Sequence, residues 1–189
     1  MNELTPDFQK NSDQLRQNQL RAGTVLLAKS ELVDPNFDTT VVLICVYNKN
    51  GAYGLVLNRP SHMPVSEIFD GYSGFNKVKE ICIGGPVQQD ELQILQVTTS
   101  PMEGAYEVVP EVYVGGKWES INQIIEVDGA STRLFLGYSG WGPEQLDFEI
   151  KSGAWEIYNV DVKRLLKDPI EKIINNAKEI ADYLESIKR

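Results

Sequence analysis

The run Val41-Val-Leu-Ile-Cys-Val46 is apolar at every position rather than at every second one. Successive side chains of a strand point to opposite faces, so this pattern predicts a strand covered on both sides. A second β-rich run spans residues 53–57. Between the two lies Asn48-Lys-Asn-Gly51, and Asn-Gly predicts a hairpin because both residues tolerate the angles of a tight turn. Further strands are predicted at residues 24–28, 80–83, 92–97, 111–114 (ahead of a Gly115-Gly116 turn), 133–138 and 155–158, with a turn at Asp34-Pro35-Asn36.

Helical periodicity is concentrated at the end of the chain. Ile170, Ile173, Ile174, Ala177, Ile180, Ala181, Leu184 and Ile187 recur at spacings of three and one, which places them on one helical face. Asp168-Pro-Ile-Glu171 reads as an N-cap, a first-turn proline and a capping-box glutamate, predicting an amphipathic helix over 169–188 that docks on the sheet. Lys188 and Arg189 fall where the helix dipole favours cations. Pro143 suits the first turn of a shorter helix stopped by Gly153, and Ser120 caps a third that runs through Val127. Strands clustered ahead of a final helix pair imply the α+β class with mixed pairing. Residues 1–22 read as a polar N-terminal arm and 23–189 as one domain.

Composition narrows the functional classes. The chain has 42% hydrophobic and 24% charged residues and a net charge of −9, an ordinary soluble balance. The charge is concentrated: residues 23–160 hold 8 basic and 18 acidic residues, a net of −10. Such a surface repels a phosphate backbone, so direct nucleic-acid binding is disfavoured. No apolar run approaches the roughly 20 residues of a membrane span. The polar N-terminus lacks a signal pattern, which predicts a cytoplasmic protein. Cys45 and Cys82 lie inside strand-like runs and read as buried free thiols.

The segment from Gly137 to Trp155, GYSGWGPEQLDFEIKSGAW, is the chief candidate for chemistry. Gly137-Tyr-Ser-Gly-Trp141 approaches a nucleophile elbow around Ser139, but Trp141 replaces the last glycine and the single histidine, His62, sits in a loop. One histidine and no paired cysteines give no zinc set, and no calcium-loop spacing occurs, so neither metal nor cofactor is expected. The glycine loop ahead of a helix has the shape of a phosphate cradle, yet Glu144 and Asp147 already answer the dipole there. Gly137, Gly140 and Gly142 then read as positions where the backbone needs room. Arg59, beside Asn58 at a strand end, and Arg133, opening the strand that leads into Gly137, serve either a buried ion pair with Asp147 or Glu149 or the holding of a ligand. Gly84-Gly85 would bring bare amides near the same place.

Taken together, "LLAKSELVDPNFDTTVVLIC", "NGAYGLVLNRP", "ICIGGPV" and "RLFLGYSGWGPEQLDFEIKSGAW" resemble the YqgE/AlgH family over residues 20–158. The resemblance implies a compact α+β fold around a mixed, largely closed β-sheet with flanking helices, in a bacterial cytoplasmic protein of no established biochemical function. It carries over Asn58, Arg59, Pro60, Gly84, Gly85, Pro86, Gly137, Tyr138, Trp141, Gln145, Leu146 and Trp155, none with an assigned catalytic role. Where many members have a His-Asn pair this chain has Tyr47-Asn48; Gln96 stands at another histidine position, and Glu144 replaces a glycine. A histidine-dependent reaction is therefore not expected.

The sequence thus predicts a noncatalytic binding or regulatory protein acting through a protein partner or a small ligand. Its binding residues would be Asn58, Arg59, Gly84, Gly85, Arg133, Tyr138, Trp141, Gln145 and Glu149, converging where Asn58-Arg59, Gly84-Gly85 and residues 138–141 meet. The alternatives are a metal-independent hydrolase using Asp147 or Glu149 as base, and a transcriptional regulator.

Overall fold

The computed structural model describes residues 19–29, 39–64, 67, 81–120 and 131–189. Its strands are β1 (Val25–Ala28), β2 (Val41–Asn48), β3 (Gly51–Val56), β4 (Ile81–Ile83), β5 (Val87–Val97), β6 (Tyr106–Val109), β7 (Val112–Val114), β8 (Ser131–Trp141) and β9 (Trp155–Tyr158). Helices α1 (Gln145–Lys151), α2 (Val162–Lys167) and α3 (Ala177–Ser186) follow, with 3-10 turns at Trp118–Ser120 and Ile170–Lys172. The architecture is mostly sheet with a few helices, consistent with α+β.

The strands form one sheet in the order β6-β7-β5-β8-β3-β2-β1-β9, with β4 beside β8. Pairing is antiparallel except between β4 and β8. β2 explains the non-alternating run: Val41, Leu43 and Cys45 enter one core, Val42 and Ile44 the other, and all five are fully buried. The first core is filled by β5, β7 and β8 residues with α2 and α3; the second packs β1–β3 against Leu146 and Ile150 of α1. Burying each such Val, Leu or Ile is worth about 1.5–3 kcal/mol.

The expectation of a largely closed sheet is corrected. The strand order runs from β6 to β9 without a pairing that joins these ends. Closure needs the two edge backbones within about 5 Å, and among the described residues β6 and β9 do not pair; α2 packs at the β6–β7 end. Val108, Val112, Val162, Leu165 and Leu166 share one cluster. Lys163 of α2 ion-pairs with Glu111 of the β6–β7 turn, and Val109 lies so close to Gly23 that a Cβ there would meet its Cγ1 at 2.4 Å.

Several boundaries also move. The hairpin corner is Lys49-Asn50, with Asn48 paired to Gly51; Gly51 takes φ +128°, and a Cβ there would also strike Trp141 O at 2.1 Å. The predicted 169–188 helix is broken. Pro169 is extended (φ −57°, ψ 139°), residues 170–172 form a 3-10 turn, and the α-helix starts only after Asn176. Asp168 is engaged elsewhere: its carbonyl accepts from Arg133 Nη2 at 3.3 Å and its carboxylate from the Tyr183 hydroxyl at 3.0 Å. The working cap is Asn176, whose Oδ1 accepts Glu179 N–H at 3.0 Å while its Nδ2 donates to Glu179 Oε1 at 2.9 Å. Lys188 and Arg189 lie beyond the helix, held against Val160 and Asn159. The helix predicted to run from Ser120 through Val127, the turn at 34–36 and most of the N-terminal arm lie outside the described residues.

Candidate functional site

The glycine-aromatic segment is first a splice in the sheet. Residues 134–136 of β8 pair with β4 on one side and β5 on the other, whereas 139–141 pair with β3. The change of neighbour occurs at Gly137, which takes φ +67°. Gly84 sits in the junction: its N–H donates to Leu136 O (2.8 Å), and its carbonyl accepts from Val56 N (2.9 Å) and Ser139 Oγ (3.1 Å). A Cβ on Gly84 would lie 2.4 Å from Gly137 O, and one on Gly85 2.2 Å from Tyr138 O. Gly84, Gly85 and Tyr138 do come together, but what fills the space between them is this chain's own backbone. Ser139 is fully buried with its hydroxyl already donating, which leaves no room for a substrate carbonyl.

Beyond the splice, β8 delivers Trp141 to α1. Glu149 Oε2 accepts the indole N–H of Trp141 at 2.9 Å and of Trp155 at 2.8 Å. Its Oε1 accepts Gln145 Nε2 at 3.1 Å, and Gln145 Oε1 in turn accepts Gly142 N–H at 3.0 Å. The two buried indoles meet edge to face, centroids 6.1 Å apart, a favoured aromatic geometry. Trp141, Gln145 and Glu149 therefore form one unit, with Trp155 as a fourth member. Glu144, at the N-cap, takes a left-handed φ of 61°, the conformation that a glycine there would adopt freely. Next to this unit the Tyr47 hydroxyl donates to Asp147 Oδ1 at 2.7 Å. Burial, then the neighbouring Asp147, push the Tyr47 phenol up to about 12. Phe148, between the two carboxylates, is 70% exposed.

The remaining candidates lie elsewhere. Asn58 is a strut: Oδ1 accepts Val41 N–H at 2.9 Å, and Nδ2 donates to Thr39 O and Ile173 O at 3.0 and 2.9 Å. Arg59 accepts Ile83 N–H at its carbonyl, 2.7 Å, beside β4. Arg133 Nη2 donates to Leu166 O at 2.6 Å and Asp168 O at 3.3 Å, capping the end of α2. It stands eight residues from Trp141 along β8, roughly 26 Å at strand rise, so its expected pairing with Asp147 or Glu149 does not occur. Gln96, at a histidine position of the resembled family, is fully buried and braces Gly115 O and Met102 N–H. Burial raises the Cys45 thiol well above its ordinary value, and Cys82 is buried as well. Among the described residues no group of His, Cys, Asp and Glu is placed to hold a metal, and no helix is long and apolar enough to cross a membrane.

One concavity went unnoticed in the sequence. A cleft of about 310 Å³ straddles β9, lined by Gln19, Lys29, Ile150, Glu185 and the four strand residues Trp155, Glu156, Ile157 and Tyr158. Within it the Tyr158 hydroxyl donates to Glu156 Oε2 at 2.8 Å, and Lys29 Nζ stands 4.0 Å from Glu156 Oε1. These residues are spread from position 19 to 185 and share no motif, so no sequence signal could have gathered them.

With the geometry in view, the comparisons with known proteins agree on kinship. A family profile described as AlgH-like (DUF179) matches residues 25–181. A UPF0301 protein of Chlorobaculum tepidum is 35% identical over 158 residues, covering 82% of this chain and 83% of the relative. One from Chlorobium limicola is 34% identical over 160 residues, covering 82% and 84%. The solution structure of the AlgH protein from Pseudomonas aeruginosa superposes with a TM-score of 0.67 at 24% identity, covering 99% of this chain and 92% of that one; at that identity it speaks for the fold. The profile and the relatives together place this chain in the AlgH-like, UPF0301 family.

Proposed function

We propose that the protein works by binding rather than by catalysis, as a cytoplasmic bacterial regulator that engages a protein partner or a small ligand. One observation carries this reading: the side chains best suited to chemistry are already committed to the fold. Asp147 holds the Tyr47 hydroxyl and Glu149 holds two indoles and an amide. A general base needs a lone pair directed at a substrate proton; Glu149 spends both oxygens internally, and Asp147 gives Oδ1 to Tyr47. Exposed Phe148 on α1, the helix that Gln145 and Glu149 tie to Trp141 and Trp155, supplies a preorganised contact surface for a partner. The net charge of −10 over residues 23–160 argues against the phosphate backbone as that partner.

The test is a thermal-shift screen of metabolites, nucleotides and short duplex DNA at low salt. A ligand held at 100 times its dissociation constant adds about 2.7 kcal/mol, or roughly 5–10 °C in Tm. A stabilising compound that is recovered unchanged supports the reading. Turnover of any compound, abolished by Asp147→Asn or Glu149→Gln in folded protein, would overturn it. Salt-sensitive DNA binding would overturn the charge argument.

A further inference from the structure

The cleft over β9 has two chemically distinct walls, and their composition specifies a ligand. β9 shows Trp155 and Ile157 to the α1 side, where they join Ile150 in or against the second core. Its alternate positions, Glu156 and Tyr158, face the α3 side with Lys29 and Glu185. The α1 side offers chiefly Ile157, since Trp155 and Ile150 are only 3% and 5% exposed, while the other side carries an ammonium, two carboxylates and a phenol. A strand that packs each face against a different core produces this division automatically.

The charged wall is loosely closed. Lys29 Nζ lies 4.0 Å from Glu156 Oε1 with the side chains 35% and 45% exposed, beyond hydrogen-bonding distance. Glu156 is steadied on its other oxygen by Tyr158, and Glu185 by Lys188 at 3.0 Å. A group inserted between Lys29 and Glu156 would exchange a solvent-screened ion pair, worth little, for two shorter charged contacts. The backbone adds to this. Lys29 N donates to Ala154 O at 3.0 Å, which fixes the β1–β9 register so that Glu156 and Tyr158 bond to β1 while Ile157 turns its N–H and C=O to the outer edge. A carboxylate at that edge would meet both the Lys29 ammonium and a peptide N–H.

The geometry points to a binding site for a free α-amino acid. Its carboxylate lies against Lys29 and Ile157 N–H, its ammonium against Glu156 Oε1, and its side chain over Ile157. The cleft's volume falls at the lower end of the roughly 300–1,000 Å³ usual for small-molecule sites. This inference deepens the small-ligand half of the binding reading and rests on it.

The experiment is isothermal titration of the full chain with L-leucine and L-phenylalanine, each compared with the matching amine lacking the carboxylate and the matching acid lacking the ammonium. The Trp155 indole N–H resonance is followed in parallel. Saturable binding is expected, with both truncated analogues weaker by about tenfold or more. Lys29→Gln and Glu156→Gln should each weaken the amino acid by a similar factor while staying folded, with Tm lowered by no more than about 5 °C, since a Gln at 156 can still accept the Tyr158 hydroxyl. No saturable binding up to about 10 mM, equal binding of either analogue, or indifference to both substitutions overturns the site. Failure here with a hit elsewhere in the broader screen leaves the binding reading standing, so the two can fail separately.

Discussion

Replacing Glu149 by alanine should destabilise the protein far more than removing a half-exposed surface carboxylate normally does. The structure supplies the magnitude. Glu149 accepts three hydrogen bonds, two from indoles that are only 6% and 3% exposed. A hydrogen bond to a charged group contributes about 1.5–3 kcal/mol, and a buried donor left without its partner costs about 1–3 kcal/mol. Partial relaxation lets water reach one indole, so the expected loss is about 3 kcal/mol. At roughly 2–4 °C per kcal/mol for a chain of this size, Tm should fall by about 9 °C. Glu149→Gln keeps one acceptor oxygen but presents its NH₂ to the Gln145 NH₂, and should cost about half as much.

Urea denaturation followed by circular dichroism reads these differences without relying on the tryptophans themselves. The decisive comparison is a cycle in which Trp141 and Trp155 are both phenylalanine. With the indole donors gone, Glu149→Ala should cost less than about 1 kcal/mol, because only the exposed Gln145 contact is lost. An equal cost in both backgrounds, or a loss below about 1 kcal/mol in the native one, would refute the view that this carboxylate is spent on the indoles. It would then again be available as a base.

Four further outcomes follow from the same geometry. Gly85→Ala should cost more than about 3 kcal/mol or prevent folding, since the new Cβ meets the Tyr138 carbonyl at 2.2 Å; Gly153→Ala, with nothing within 4 Å and φ +79°, should cost only about 1 kcal/mol in the same denaturation assay. Asn58→Ala, which releases three backbone partners including Ile173 O, should lower stability by about 2–4 kcal/mol. Phe148→Ala should leave Tm within about 2 °C, because a 70% exposed ring carries little packing. The Arg164 backbone N–H, and after it the nearby Arg189, hold the Asp161 carboxyl below its usual 3.8. Its contribution is therefore complete above that value and lost as pH falls through the lower folded one. Asp161→Asn should match the native protein near pH 2 and fall behind it by pH 6, measured by urea midpoints across that range.

How much of this was legible depends on whether a residue acts through its own backbone or through a distant side chain. The β2 pattern stated its two-sided burial outright, because alternation is a property of the strand alone, and the run beginning at Trp155 revealed β9 for the same reason. β6 went unread: its Tyr106 and Glu107 are exposed, leaving too short an apolar signal. Asp168-Pro-Ile-Glu171 obeys the local grammar of a helix start, yet Arg133 and Tyr183 claim the Asp168 oxygens, and a partner 35 residues away cannot be read from four. The Asn176-x-x-Glu179 spacing carried the true cap and was hidden by the longer isoleucine periodicity.

The candidate site divides along the same line. That Gly84, Gly85 and Gly137 relieve close approach could be read from their type, whereas what approaches them could not; it is the other glycine strand, and a ligand has no access between. Glu149 was visible as a carboxylate on a helix, but the two indoles that occupy it come from β8 and β9, on opposite sides of α1 in sequence. This distinction decides function. A carboxylate facing a cleft is chemistry in reserve, whereas one facing two buried N–H groups is part of the scaffold. By that criterion Glu149 belongs to the fold, whereas Asp147 and Glu156 are each held by a tyrosine on one oxygen, and Glu156 alone of these two stands beside an ammonium, that of Lys29.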